Sequence, residues 1–421
     1  SMRESPYPLE QLLGMRYYGT DTAGTGGRLR ALPEDFIVEE IPGDIGTEGR
    51  FLICRLTKKD WDQQRAVKEI AKRLGISYKR IGFAGTKDKH AVTSQLISIE
   101  GITAEEIEQV RIRDITLEPV GRSSSPLALG SHAANRFTIT IRDACADPEI
   151  LSLVTAACQD GIPNYFGIQR FGAIRPISHT TGAYILRGDY EAAVCHYIGA
   201  AFPGEPEGVR AARSSFLEHR DPLRSIREFP LHLNYERTML HHIASHPGDY
   251  RGALRILPPK ILSMLVSAYQ SLLFNKALSL RMAEAGSFSE PIPGDRLLFL
   301  NGREDRVSAA TAGNARIQVA RGRCRIAIRM PGCSDKALPC TDTSAMEHFL
   351  SDDGIQKSDF CTVSDLVHAR FDGAMRPASL ATGITATLEG DRVTLAFSLQ
   401  PGQYATTVCR EYMKTDPLAM I

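Results

Sequence analysis

Nine cysteines occur in the 421 residues, yet no two form a Cys-x-x-Cys pair. A thiolate metal site is therefore not signalled: Cys324, Cys333 and Cys340 are near one another but loosely spaced. Isolated reduced thiols and a reducing compartment are the expectation. No charged-then-apolar leader follows Ser1 and Met2, which read as a cloning remnant followed by the native start. The most apolar helical stretch, Ile261 to Phe274, is too short and too polar to cross a bilayer. A soluble, cytoplasmic protein is expected. An excess of either charge is also missing. There are 50 Lys and Arg against 49 Asp and Glu, so the net charge of +1 argues neither for nor against nucleic acid. Gly24, Gly26 and Gly27 mark a loop of unusual backbone angles. That loop lacks the Gly-Lys-Ser/Thr ending of a phosphate-binding loop, which disfavours an NTPase. His241, His242 and His246 lack the acidic partner of a zincin motif and read as surface residues. Internal repeats and low-complexity tracts are absent.

What is present is apolar material, 43% of the residues, enough for a sizeable core in roughly two or three domains. Charge is unevenly spread. Between Arg50 and Lys89 twelve Lys or Arg face four acids, and from Arg316 to Arg329 there are five arginines and no acid. Asp342 to Asp359 is acidic in turn. Such local fields can guide a polyanion, and can equally be ordinary solvated faces. Strands are expected over 28–41, interrupted at Pro33, and over 51–56, 80–84 and 94–100. Residues 136–142 alternate, with Phe137, Ile139 and Ile141 on one face. Residues 64–74 form an amphipathic helix, with Val67, Ile70, Ala71 and Leu74 apolar and Arg65, Lys68 and Lys72 a basic stripe beside them. The middle third is helical near 181–200 and 259–285, with a connector at 202–232 and a β-rich stretch at 290–330. Strands return at 384–388 and 392–399, flanking a Glu389-Gly390-Asp391 turn. Sheet at both ends with a mixed block between predicts one α/β domain interrupted by an inserted one.

Four segments can carry chemistry. Asp88 sits in the loop Gly85-Thr-Lys-Asp-Lys-His90, between Lys87 and Lys89. Flanking cations favour an ionised carboxylate, which can act as nucleophile or base; Asp in such a loop also commonly serves a turn. Phe137 can stack on an extruded base or be the first inward residue of a core strand. The loop Asn164–Gly172 interleaves Tyr165, Phe166 and Phe171 with Gln169 and Arg170, which suits unpaired nucleotides and equally a structural turn. On the 259–285 helix, Tyr269, Gln270 and Asn275 face a domain junction or are polar caps of helix packing.

Taken together, these segments resemble the TruD family of pseudouridine synthases, in its archaeal type. The resemblance rests on Pro33-Glu-Asp-Phe36, on Phe83-Ala-Gly-Thr-Lys-Asp-Lys-His-Ala-Val-Thr-Ser-Gln95 and on Asn135-x-Phe137. It continues through Asn164-Tyr-Phe-Gly-x-Gln-Arg-Phe-Gly172, Tyr269-Gln-Ser-x-Leu-Phe-Asn275, Leu399-Gln-Pro-Gly-Gln-Tyr-Ala-Thr406 and Arg410-Glu411. It implies an α+β fold: a mixed-sheet catalytic domain, residues 1–172 and 372–421, interrupted by a TRUD domain at 173–371. The two would enclose a V-shaped cleft. It also implies Asp88 as catalytic residue, Phe137 as the aromatic that receives the target base, and Asn135 as holder of the active-site loop. Arg30 stands where relatives often have Lys, and Lys87 and Lys89 are carried over as substrate contacts.

The implied reaction is the isomerisation of uridine 13 in the D-arm of tRNA. Uracil leaves its ribose carbon, rotates and reattaches through carbon 5. One carboxylate can start this by bonding to the sugar or base, or by removing the 2′ proton. No redox step or external group enters, so neither metal nor organic cofactor is implied. The target must first be extruded from folded RNA. The alternative is a non-catalytic RNA-binding or RNA-folding protein on the same scaffold. No membrane and no obligatory protein partner are expected.

Overall fold

Gln63–Leu74 (α1) forms where its sequence signals it, because Asp62 accepts from the Arg65 amide at its start and Gly75 takes the left-handed conformation at its end. The computed structural model describes residues 2–333 and 343–421; Cys340 and Asp342 lie outside them. The chain divides into two units: Thr20–Ile162 with Ala381–Ile421, and the chain up to Gly19 with Pro163–Leu380. The N-terminal segment thus joins the middle block, where Leu13 and Met15 share a core with Phe274 and Leu278.

The first unit is built on one sheet. Its strands are β1 (Phe36–Ile41), β2 (Phe51–Lys59), β3 (Ile81–Phe83), β4 (Val92–Glu100), β5 (Ile115–Ser123), β6 (Ala134–Ile141), β7 (Thr385–Glu389) and β8 (Arg392–Leu399). The order is β7-β8-β6-β1-β4-β2-β5, with β3 also paired to β4. β1 and β4 run parallel and the other pairs antiparallel, so the sheet is mixed and the unit α+β. The strand expected over 28–41 begins only at Phe36. Pro33–Asp35 form a 3-10 turn instead, and Arg142 grips the Asp35 carboxylate at 2.6 Å. α1 lays Val67, Ile70 and Ala71 on Leu52, Cys54 and Leu56 of β2 and on Ile97 and Ile99 of β4. Val67 and Ile70 each contribute ~1.5–3 kcal/mol on burial, which fixes α1 to this face. α2 (Pro148–Ala157) packs on β7, and α3 (Ala405–Met413) packs on α2.

The glycine-rich segment before β1 is tied to α3: the Thr25 and Gly26 amides donate to the carbonyls of Tyr412 and Met413. Gly27 has φ 90°, and a Cβ there would lie 2.5 Å from the Arg142 carbonyl oxygen. Only glycine fits.

In the second unit, Ser178–Arg187 crosses the long helix Pro259–Glu284 so closely that a Cβ on Gly182 would lie 2.0 Å from the Leu265 carbonyl oxygen. The connector read at 202–232 contains two helices, Glu207–His219 and Pro222–Glu228, the second capped by Asp221. Its Pro and Arg content hid them. The β-rich stretch yields Arg296–Phe299, Glu304–Arg306 and Cys324–Met330, which join Ala374–Pro377 in a four-stranded antiparallel sheet. Cys333 and Cys361 form a disulfide across 28 positions, correcting the expectation that every thiol stands alone. Among the described residues, no helix is long and apolar enough to cross a membrane.

Candidate active site

Strand register decides what meets at one end of the sheet, because directly paired residues point to the same face. One row crosses β8, β6, β1, β4 and β2 as Phe397, Phe137, Val38, Thr93 and Lys58. The next holds Leu399, Asn135 and Glu40, and two residues further along β4 and back along β2 come Gln95 and Leu56. Leu56, with Ile97, belongs to the α1 cluster, so these rows lie on the face that carries α1. That face is apolar along most of its length and turns polar at its end, where Glu40, Lys58, Thr93 and Gln95 are all buried.

Over this polar end runs the loop Gly85–His90, and its backbone is held from below. Gln95 Nε2 donates to the Gly85 carbonyl at 2.9 Å. The Lys87 amide donates to Gln63 Oε1 at 3.3 Å. Lys58 Nζ donates to the carbonyls of Asp88 at 3.0 Å and Trp61 at 2.9 Å. Lys87 itself turns inward, its Nζ 2.9 Å from Glu40 Oε2, with both side chains buried. The other Glu40 oxygen accepts from the Leu96 amide at 3.2 Å. A substrate contact was expected of Lys87; its ammonium instead cements the loop to β1.

Asp88 is the opposite case. Its side chain is 48% exposed, with Arg30 Nη2 3.7 Å from Oδ1, an ion-pair distance too long for a hydrogen bond. Arg30 lies over the Phe36 ring with its guanidinium carbon 3.9 Å from the centroid. Its φ of 57° is the left-handed region, which costs a non-glycine residue of order 1–3 kcal/mol and recurs at functional sites. Phe36 meets Phe137 edge-on at 6.1 Å, and Phe137 stacks on Phe397 at 5.5 Å. Phe137 is only 7% exposed, deeper than an open stacking platform. The Asn135 side-chain nitrogen lies 3.3 Å from His132 Nε2. Lys89 is exposed, and His90 pairs with Asp60 at 3.1 Å. Register and packing thus connect Asp88, Arg30, Phe36, Phe137 and Asn135, while Lys87 faces inward and Lys89 faces solvent.

Among the described residues ten buried side-chain atoms have no hydrogen-bond partner, and six of them surround this loop. They are Arg30 Nε, Gln63 Nε2, Thr93 Oγ1, Gln95 Oε1, His132 Nδ1 and Asn135 Oδ1. Their concentration in one place sets this loop apart from the rest of the fold. The local electrostatics are also unusual. Burial pushes the Lys58 ammonium down to about 8, against the carboxylates of Asp88 and Asp62. Burial and the nearby Lys87 hold His132 below the ordinary imidazole value.

Lys58, Glu40, Gln63, Gln95 and His132 were not singled out from the sequence. The strand residues among them had a signal: each is a polar residue two positions along from an apolar residue of the buried face, as in Phe36-x-Val38-x-Glu40 and Leu56-x-Lys58. The aromatics of Asn164–Gly172 are structural, while Gln169 and Arg170 are exposed. Tyr165, Phe166 and Phe171 are buried, and Asn275 accepts from the Phe166 amide at 2.9 Å while donating to the carbonyls of Leu13 and Phe166. Tyr269 donates to Asp353 at 2.6 Å and Gln270 to the Pro331 carbonyl at 2.9 Å. Of the 316–329 arginines, Arg329 pairs with Glu304 and Arg325 is half-buried, so that stripe is thinner than its sequence. Arg65, Lys68 and Lys72 on α1 are all exposed.

Residues 12–412 match the family model of tRNA pseudouridine synthase D (TruD). The chain is 38% identical over 433 aligned positions to the Methanococcoides burtonii protein named "Probable tRNA pseudouridine synthase D", covering 98% of each. It is 36% identical to a protein of the same name from Halobacterium salinarum, with both chains fully covered. A crystal structure of the tRNA pseudouridine synthase D described from Methanosarcina mazei superposes with a TM-score of 0.87 at 36% identity, covering 99% of this chain and 100% of that one. Motif order, fold and these likenesses agree: the chain belongs to the tRNA pseudouridine synthase D (TruD) family of isomerases.

Proposed function

We propose that this protein converts uridine 13 in the D-arm of tRNA to pseudouridine, with Asp88 as the reacting carboxylate. The observation that carries the reading is the half-exposed Asp88 side chain, facing the Arg30 cation from a loop whose backbone is otherwise anchored. A carboxylate that solvent and substrate can reach is what a nucleophile or base requires. The N1–C1′ bond breaks, a C5–C1′ bond forms, the C5 proton leaves to solvent and N1 gains a proton. Asp88 starts this by bonding to sugar or base, or by taking the 2′ proton. The sheet unit is the catalytic domain and the block within it an insert. The extruded pyrimidine is received next to Phe137, with Asn135 holding the loop and Arg30 orienting Asp88. Lys89 and the exposed cations of α1 contact phosphates at a salt-dependent cost.

The experiment is release of tritium from unmodified tRNA labelled at uridine carbon 5, with pseudouridine mapped in the product. Wild type should release tritium and modify position 13. Asp88→Asn should bind tRNA with wild-type affinity and release none. Specific binding by wild type without any tritium release would instead make this a non-catalytic RNA-binding protein. Phe137→Ala should lower kcat more than affinity; a drop in melting temperature alone would leave Phe137 a core residue.

A further inference from the structure

A lysine sealed in a protein interior normally meets a carboxylate, because an uncompensated buried ammonium is costly. Lys58 breaks that pattern. It is 1% exposed at the end of β2, and among the described residues it has no carboxylate within ion-pair distance. Its hydrogen-bond partners are two backbone carbonyls, those of Asp88 and Trp61. A methionine would fill the same space without the charge, so packing does not account for the residue.

We infer that Lys58 is a positioning residue for Asp88: its buried ammonium fixes the loop backbone at that residue and adds a second cation beside Arg30 to the field at the carboxylate. This rests on the reading that Asp88 reacts. The geometry gives the reason for the cost. Lys58 stands in the row that runs through Thr93 and Val38 to Phe137, so one register sets both the height of the Asp88 backbone and the place of the ring. A shift of about 1 Å in a reacting group costs ~100-fold in rate.

Three charged groups face Lys58. Asp88 and Asp62 favour its ammonium form, Lys87 opposes it, and burial outweighs them, leaving the group at about 8. The charged form therefore predominates below that pH and is lost above it. Activity that depends on the charge should fall as pH rises through about 8.

The test compares wild type with Lys58→Met and Lys58→Arg. Lys58→Met should lower kcat about 100-fold while the KM for tRNA stays within about threefold, since substrate contacts are untouched. Hydrogen exchange in the 84–91 segment should rise, with the β1 and β6 strands unchanged. Lys58→Arg, whose charge does not titrate in this range, should recover part of kcat and lose the alkaline limb near pH 8. A Lys58→Met enzyme with near-normal kcat and unchanged exchange overturns the inference. If that variant does not fold, an alkaline limb that persists unaltered in Lys58→Arg overturns it instead. If wild type itself releases no tritium, the reading of Asp88 fails first and this inference falls with it. An active wild type whose Lys58 variants behave like it sinks only the role of Lys58.

Discussion

Two loops rich in family residues behave in opposite ways. Around Asn164–Gly172 the Asn275 side chain uses both its oxygen and its nitrogen, tying the Phe166 amide and the carbonyls of Leu13 and Phe166 together. Around Gly85–His90 the backbone is tied, but six buried side-chain atoms go without partners and a carboxylate stands half in solvent. Satisfied polar groups stabilise a fold; unsatisfied ones cost stability and persist where they serve something else. In the sequence each loop offers both a functional and a structural reading. The hydrogen-bond accounting separates them.

The contrast can be broken at its most buried point. Lys87→Met should cost about 3–5 kcal/mol, because it strands Glu40 as an unpaired buried charge. Melting temperature measures this, and a second substitution, Glu40→Gln, should recover part of the loss. A stable Lys87→Met protein with weakened tRNA binding would return Lys87 to the role of a substrate contact. Next in size, Asn275→Ala should lower stability by about 1–3 kcal/mol, leaving an amide and two carbonyls without their partner. Its kcat per folded molecule should match wild type; a selective loss of kcat would put the 164–172 loop back among the sites. The smallest effect sharpens the outer edge of the site. Lys68→Ala and Lys72→Ala should each reduce the salt dependence of tRNA binding by about one counterion. Each should change stability by less than about 0.5 kcal/mol.

Much of the sheet unit was legible in advance because its signals are local. α1 carries its own cap, stop and apolar face, and β6 its own alternation. Asp88 stood out through its flanking lysines, but the sequence could not tell Lys87 from Lys89. The two differ in which way a loop residue turns, and that depends on Glu40, a strand distant in sequence. Lys58 and Gln95 were hidden for a related reason: what they do becomes visible only when β1, β2 and β4 are set in register. The helices at Glu207–His219 and Pro222–Glu228 were missed because Pro and Arg content outweighed a cap at Asp221. The Cys333–Cys361 bond was invisible because spacing along a chain says little about proximity in space.

The row from Phe397 to Lys58 crosses five strands, and side chains alternate faces at every step along each of them. One added or deleted codon inside β1, β2, β4, β6 or β8 would send that strand's contribution to the wrong side of the sheet. A change of length should therefore be tolerated only in the segments between strands, such as 42–50 and 101–114. A library of single-residue insertions should recover active clones there and almost nowhere within the paired positions.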